Sequence, residues 1–130
     1  AFSEKTNKMI EENMRQLVRG ICDAYGFSYE VSYETTCPMT FNQPKQAESA
    51  TKAAITLLGK DNSNGDIEPR PFSEDFSIMS EAKPGCFVLM GNGTADSNGR
   101  PLHSADYDFN DKLLVIGSSY WSELVEQQLK

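Results

Sequence analysis

Residues 29–34 alternate strictly: Tyr29, Val31 and Tyr33 are apolar or aromatic, while Glu30, Ser32 and Glu34 are polar. A period of two predicts a β-strand with one covered face and one wet face. Such a strand needs neighbours for its backbone N–H and C=O groups, and residues 1–40 offer no second strand. That part of the chain therefore reads as half of something, and as a piece of a longer protein. Residues 86–90, Cys-Phe-Val-Leu-Met, form a continuous apolar run of the kind expected for a strand covered on both faces.

Helices surround these two runs. Ser3 is a candidate N-cap, and Ile10, Met14, Leu17, Val18, Ile21 and Tyr25 recur at helical spacing until Gly26 ends the pattern. Ala47, Ala50, Ala54, Leu57 and Leu58 predict a second helix with a small-residue face, ended by Gly59. Ser73-Glu74-Asp75 looks like the start of a third helix that ends near Glu81, before Pro84-Gly85. A final helix starts at Asn110 or Asp111 and carries Leu114, Tyr120, Trp121, Leu124 and Val125. The expected fold class is α/β, in the form of an α+β fragment, with a change of character near residue 40.

Composition narrows the function. With 19 acidic residues against 12 basic ones, and no basic stripe, the chain is not expected to bind nucleic acid. No apolar run reaches 18 residues, so no membrane-spanning helix is expected. Three scattered cysteines, an odd number, suit a reducing compartment, and the expected location is cytoplasmic.

His103 is the one histidine, in Leu102-His103-Ser104-Ala105-Asp106-Tyr107-Asp108. A neutral imidazole beside carboxylates suits a metal ligand, but a plain surface histidine is the competing reading. One histidine also cannot build a catalytic zinc site, which takes three protein ligands. Asp106, Asp108 and Asn110 mimic the opening of a calcium loop. The pattern then fails, with Asp111 where glycine belongs and Gly117 where glutamate belongs. Gly91 and Asn92 follow the apolar run, where backbone can approach a ligand at a strand end. Glu74 and Asp75 suit either a substrate cleft or the dipole of the third helix.

Three stretches together carry a resemblance. They are Phe72-Ser73-Glu74-Asp75-Phe76-Ser77, Pro84-Gly85-Cys86-Phe87 leading into Gly91, and Leu102-His103 through Tyr107-Asp108-Phe109-Asn110-Asp111. The chain resembles the C-terminal region of the zinc-dependent amidohydrolases that include hippurate hydrolase, N-acyl-amino-acid amidohydrolases and indole-acetyl-amino-acid hydrolases. Phe72 departs from the small residue common there.

The resemblance implies that residues 1–42 close a small lid domain and lead out of it, and that residues 43–130 end a catalytic domain. It implies that His103 is a metal ligand, in a parent enzyme holding two zinc or manganese ions. It also implies substrate contacts near Glu74, Asp75, Gly91 and Asn92, and a small N-acyl amino acid as substrate. The isolated chain is then expected to be inactive, and either to pair as a homodimer through the Tyr29–Tyr33 strand and the first helix or to rearrange so that these pack on residues 43–130. The alternative is a free-standing, non-catalytic acidic binding module.

Overall fold

The computed structural model describes residues 2–130. It contains four α-helices: α1 (Glu4–Tyr25), α2 (Pro44–Leu58), α3 (Phe76–Ala82) and α4 (Lys112–Leu129). Two short 3-10 turns lie at Lys60–Asn62 and Asp96–Gly99. No helix among the described residues is long and apolar enough to cross a membrane.

The expected α/β class is overturned, because no strand forms among the described residues and the fold is all-α. Both apolar runs are present, but neither joins a ladder. A strand is defined by a neighbour's backbone, and each run finds other partners here. For the second run the partner is a side chain. Asn42 Oδ1 accepts from the Phe87 N–H at 2.7 Å, and its Nδ2 donates to the Phe87 carbonyl at 3.0 Å. One amide thus takes both groups that a neighbouring strand would have used. The run is also not covered on both faces: Cys86 and Phe87 are half-buried, whereas Val88, Leu89 and Met90 are exposed.

The chain divides into two compact units. One comprises the segment up to Phe41 together with Glu68–Pro84, and the other comprises Asn42–Ile67 with Gly85–Lys130.

In the first unit, α1 begins and ends where its caps dictate. Ser3 Oγ accepts from the Thr6 N–H at 3.0 Å. Gly26 takes a left-handed φ of 68°, and the Gly26 and Phe27 N–H groups return to Asp23 and Cys22, a Schellman closure. The chain then runs back along the helix. Arg15 Nη1 donates to the Val31 carbonyl, the Tyr33 hydroxyl meets Asn7 Oδ1, and Asn7 Nδ2 donates to Thr35 Oγ1. From Asn7 to Arg15 a helix advances about 12 Å, and from Val31 to Thr35 an extended chain advances about 13 Å. The backbone here is therefore stretched out as the alternation predicts, with Val31 and Tyr33 half-buried and Ser32 and Glu34 exposed.

The face of α1 that this segment covers is not the apolar one. Ser3, Asn7, Glu11, Arg15, Val18 and Cys22 are partly covered, at helical spacing. Leu17 and Ile21 stay 64% and 58% exposed, and Ile10, Met14 and Tyr25 are exposed as well.

The second unit is organised by α2 packed on α4. Ala53 is fully buried, and Ala50 and Tyr120 nearly so. Small residues on α2 let the helices approach closely enough for the Tyr120 ring to fill the space between them. The Tyr120 hydroxyl donates to the Ala50 carbonyl at 3.3 Å, and Gln127 Nε2 donates to Ser49 O and Oγ. At the start of α4, Asn110 Oδ1 accepts from the Lys112 N–H at 3.2 Å, so Asn110 supplies the cap.

Burial is sparse. The chain exposes 10729 Å², against about 6,900 Å² for a self-contained monomer of 14.5 kDa.

Candidate functional site

His103 sits at the tip of a loop whose ties are nested around it. Outermost, Asn92 Nδ2 donates one hydrogen to the Asn98 carbonyl at 3.1 Å and the other to the Asp108 carbonyl at 2.8 Å. Asn98 Nδ2 also reaches the Asp108 carbonyl, and the Ser97 hydroxyl meets the Asp108 carboxylate at 3.4 Å. Inside that ring, Arg100 Nε pairs with Asp106 Oδ2 at 3.0 Å. Innermost, the Ser104 N–H donates to the Pro101 carbonyl, closing a turn in which His103 is third.

In this turn the third residue takes a positive φ, as in a type II turn, and His103 adopts 69°. A side chain in this left-handed region costs of order 1 kcal/mol, so the surrounding ties must hold it. Asparagine organises the loop where apolar side chains do not. Asn92, Asn98 and Asn110 are partly covered, while Leu102 and Phe109 lie exposed. Asn110 completes the frame: its N–H donates to Asn92 Oδ1, and its Nδ2 donates to the Asn92 carbonyl.

The imidazole is exposed. On a held loop it offers one nitrogen to a metal. Asp106 is engaged by Arg100 and Asp108 by Ser97. Among the described residues no group of three His, Cys, Asp or Glu side chains is placed to hold an ion. The chain therefore fits a metal as a contributor of one ligand and not as a complete site.

The other residues singled out in the sequence are placed as follows. Asn92 spends its amide on the loop, and Gly91 precedes it as an exposed residue. Glu74 and Asp75 belong to the other compact unit. There Glu74 is half-buried, with Oε1 3.4 Å from the Phe76 N–H at the start of α3, and Asp75 is exposed. Two residues on α3 follow from this. Phe76 opens the helix, and Ser77 beyond it is fully buried, with an Oγ that finds no hydrogen-bond partner among the described residues.

Elsewhere, burial pushes the Cys86 thiol up from its ordinary value, and burial followed by the neighbouring Cys86 does the same to the Tyr120 phenol. A shallow groove along α2, lined by Ala47, Thr51, Ile55 and Gly65 among others, contains none of these candidates. The sequence singles out His103 and Asn92 as candidates, whereas Asn98, Arg100 and Ser97, which bond within the same loop, carry no such mark in it. The asparagine-rich composition of 92–110 was the available signal.

Residues 4–127 match the profile of peptidase family M20/M25/M40. Hippurate hydrolase of Campylobacter jejuni is 30% identical over 130 residues, covering 100% of this chain and 33% of that protein. Putative amidohydrolase YhaA of Bacillus subtilis is 27% identical over 119 residues, 91% of this chain and 30% of that protein. IAA-amino acid hydrolase ILR1-like 2 of Arabidopsis thaliana is 30% identical over 95 residues, 72% of this chain and 21% of that protein. The chain thus spans a third or less of the length of these relatives. No solved structure matches it.

Proposed function

The chain belongs to peptidase family M20/M25/M40, and from that premise we propose that it is part of a metal-dependent amidohydrolase acting on N-acyl amino acids. The likeness to hippurate hydrolase over the whole chain carries this reading. Peptidases of this family are generally metal-dependent. The finer parts of the reading are zinc or manganese as the metal, a small N-acyl amino acid as substrate, and His103 as one ligand.

A bound metal lowers the pKa of water and polarises a carbonyl, which is what amide hydrolysis requires. This chain's own contribution is to hold one imidazole in a fixed, exposed position. The candidate substrate contacts are Glu74 and Asp75 in one compact unit and Gly91 and Asn92 in the other. The large exposed area and the single ligand both support a site completed by residues outside this chain, rather than a free-standing binding module.

The test uses the full reading frame and the chain side by side. The full-length protein should release glycine from hippurate with added zinc or manganese, and His103→Ala should abolish turnover. The isolated chain should do nothing under the same conditions. Full-length protein that cleaves no N-acyl amino acid, or turnover that survives His103→Ala, would overturn the reading.

A further inference from the structure

We propose that Asn92 is the positioning residue of the His103 loop. Its one side-chain NH2 closes both ends of the segment 99–107 and so holds the left-handed turn that presents the imidazole. This rests on the reading that His103 acts in the site.

First, the two hydrogens of Asn92 Nδ2 go to Asn98 O and Asp108 O, the residues that flank the segment. No single apolar contact could bridge two carbonyls in this way. Second, the ties are concentric: Asn98 with Asp108, Arg100 with Asp106, and Pro101 with Ser104 enclose His103 in turn. Loosening the outermost tie loosens everything inside it. Third, His103 is a non-glycine residue at φ 69°, a conformation that persists only where its surroundings hold it. The ion pair is exposed on both sides and contributes little by itself. The half-buried amide of Asn92 is the stronger restraint.

Asparagine is also used as acceptor, since Asn92 Oδ1 takes the Asn110 N–H at 2.9 Å. That separates two roles that substitutions can isolate. Asn92→Asp keeps the acceptor and loses both donors, whereas Asn92→Ala loses all three side-chain bonds.

The experiment is residue-resolved amide hydrogen exchange on the full-length protein and both variants. The Ser104 and Tyr107 amides, which bond inside the loop, should exchange roughly ten- to a hundredfold faster in each variant. The Asn110 amide should accelerate in Asn92→Ala and stay within about twofold in Asn92→Asp. Amides inside α2 and α4 should stay within about twofold in both. Unchanged exchange at Ser104 and Tyr107 overturns the clasp, and so does an equal acceleration throughout α2 and α4, which would mark a general loss of stability.

A second readout, metal content of the full-length protein, separates the clasp from the functional reading. Content that falls in Asn92→Asp as well as in His103→Ala supports positioning. Content unchanged in His103→Ala removes the role that the clasp would serve, even with the exchange result intact.

Discussion

Tyr120 offers two substitutions whose costs should differ several-fold. Its hydroxyl donates to Ala50 O at 3.3 Å, long for an O–H···O bond, and that carbonyl also lies inside α2, where a helical bond already satisfies it. Tyr120→Phe therefore strands no buried group and should cost about 0.5–1 kcal/mol. Tyr120→Ala removes a ring that is 6% exposed and leaves a cavity against Ala50 and Ala53. It also removes the edge-on contact with Trp121 at 5.6 Å. The cost should be about 3–4 kcal/mol, a large part of what a small unit possesses. Urea titration followed by Trp121, the single tryptophan, reads both variants from beside the site.

The phenol adds a pH signature. Its pKa is raised above the ordinary 10.0 by burial and by Cys86. The folded state thus holds that proton more tightly than the unfolded one. The associated stability is full below about pH 10 and is lost as pH rises through the folded value. Tyr120→Phe should therefore flatten the alkaline fall in stability. A Phe variant as damaged as the Ala variant, or an Ala variant costing under about 1 kcal/mol, would refute the packing argument.

Further outcomes follow from other sites. Cys86, with its thiol raised by burial, should react with iodoacetamide at pH 8 several-fold more slowly than it does in urea, as peptide mapping would show. Gly99→Ala should destabilise the His103 loop by about 1–3 kcal/mol, because the added Cβ would lie 2.7 Å from the Thr94 carbonyl carbon. Hydrogen exchange at Ser104 would register that change. The isolated chain should self-associate through α1 and the adjoining segment 29–33, and Leu17→Lys with Ile21→Lys should shift it to monomer by light scattering. A wild-type chain that stays monomeric at high concentration would count against this pairing.

What the sequence disclosed depended on how local each cause was. The ends of α1 were legible because Ser3 and Gly26 act within one turn. The face of α1 was not. The period of Ile10, Met14, Leu17 and Ile21 is helical, yet those four stay exposed within this chain. Of the apolar stripe only Val18 is partly covered, alongside Asn7, Glu11 and Arg15 on the side of the returning segment. The strands failed for a related reason. Alternation at 29–34 sorted the covered side chains from the wet ones, but a ladder needs a partner that alternation cannot name. In the site, His103 was legible as a residue type. Its support was not, since Asn92 acts on carbonyls at Asn98 and Asp108, and carbonyls are the same in every residue.

The left-handed backbone of His103 sets stability and chemistry against each other at one position. Glycine would adopt a φ of 69° without the steric cost, and asparagine would tolerate it well. A library selected only for heat resistance should therefore drift at position 103 toward glycine or asparagine. A library selected for turnover in the full-length protein should keep histidine and accept the weaker loop. The residue that emerges would reveal which demand the selection had imposed.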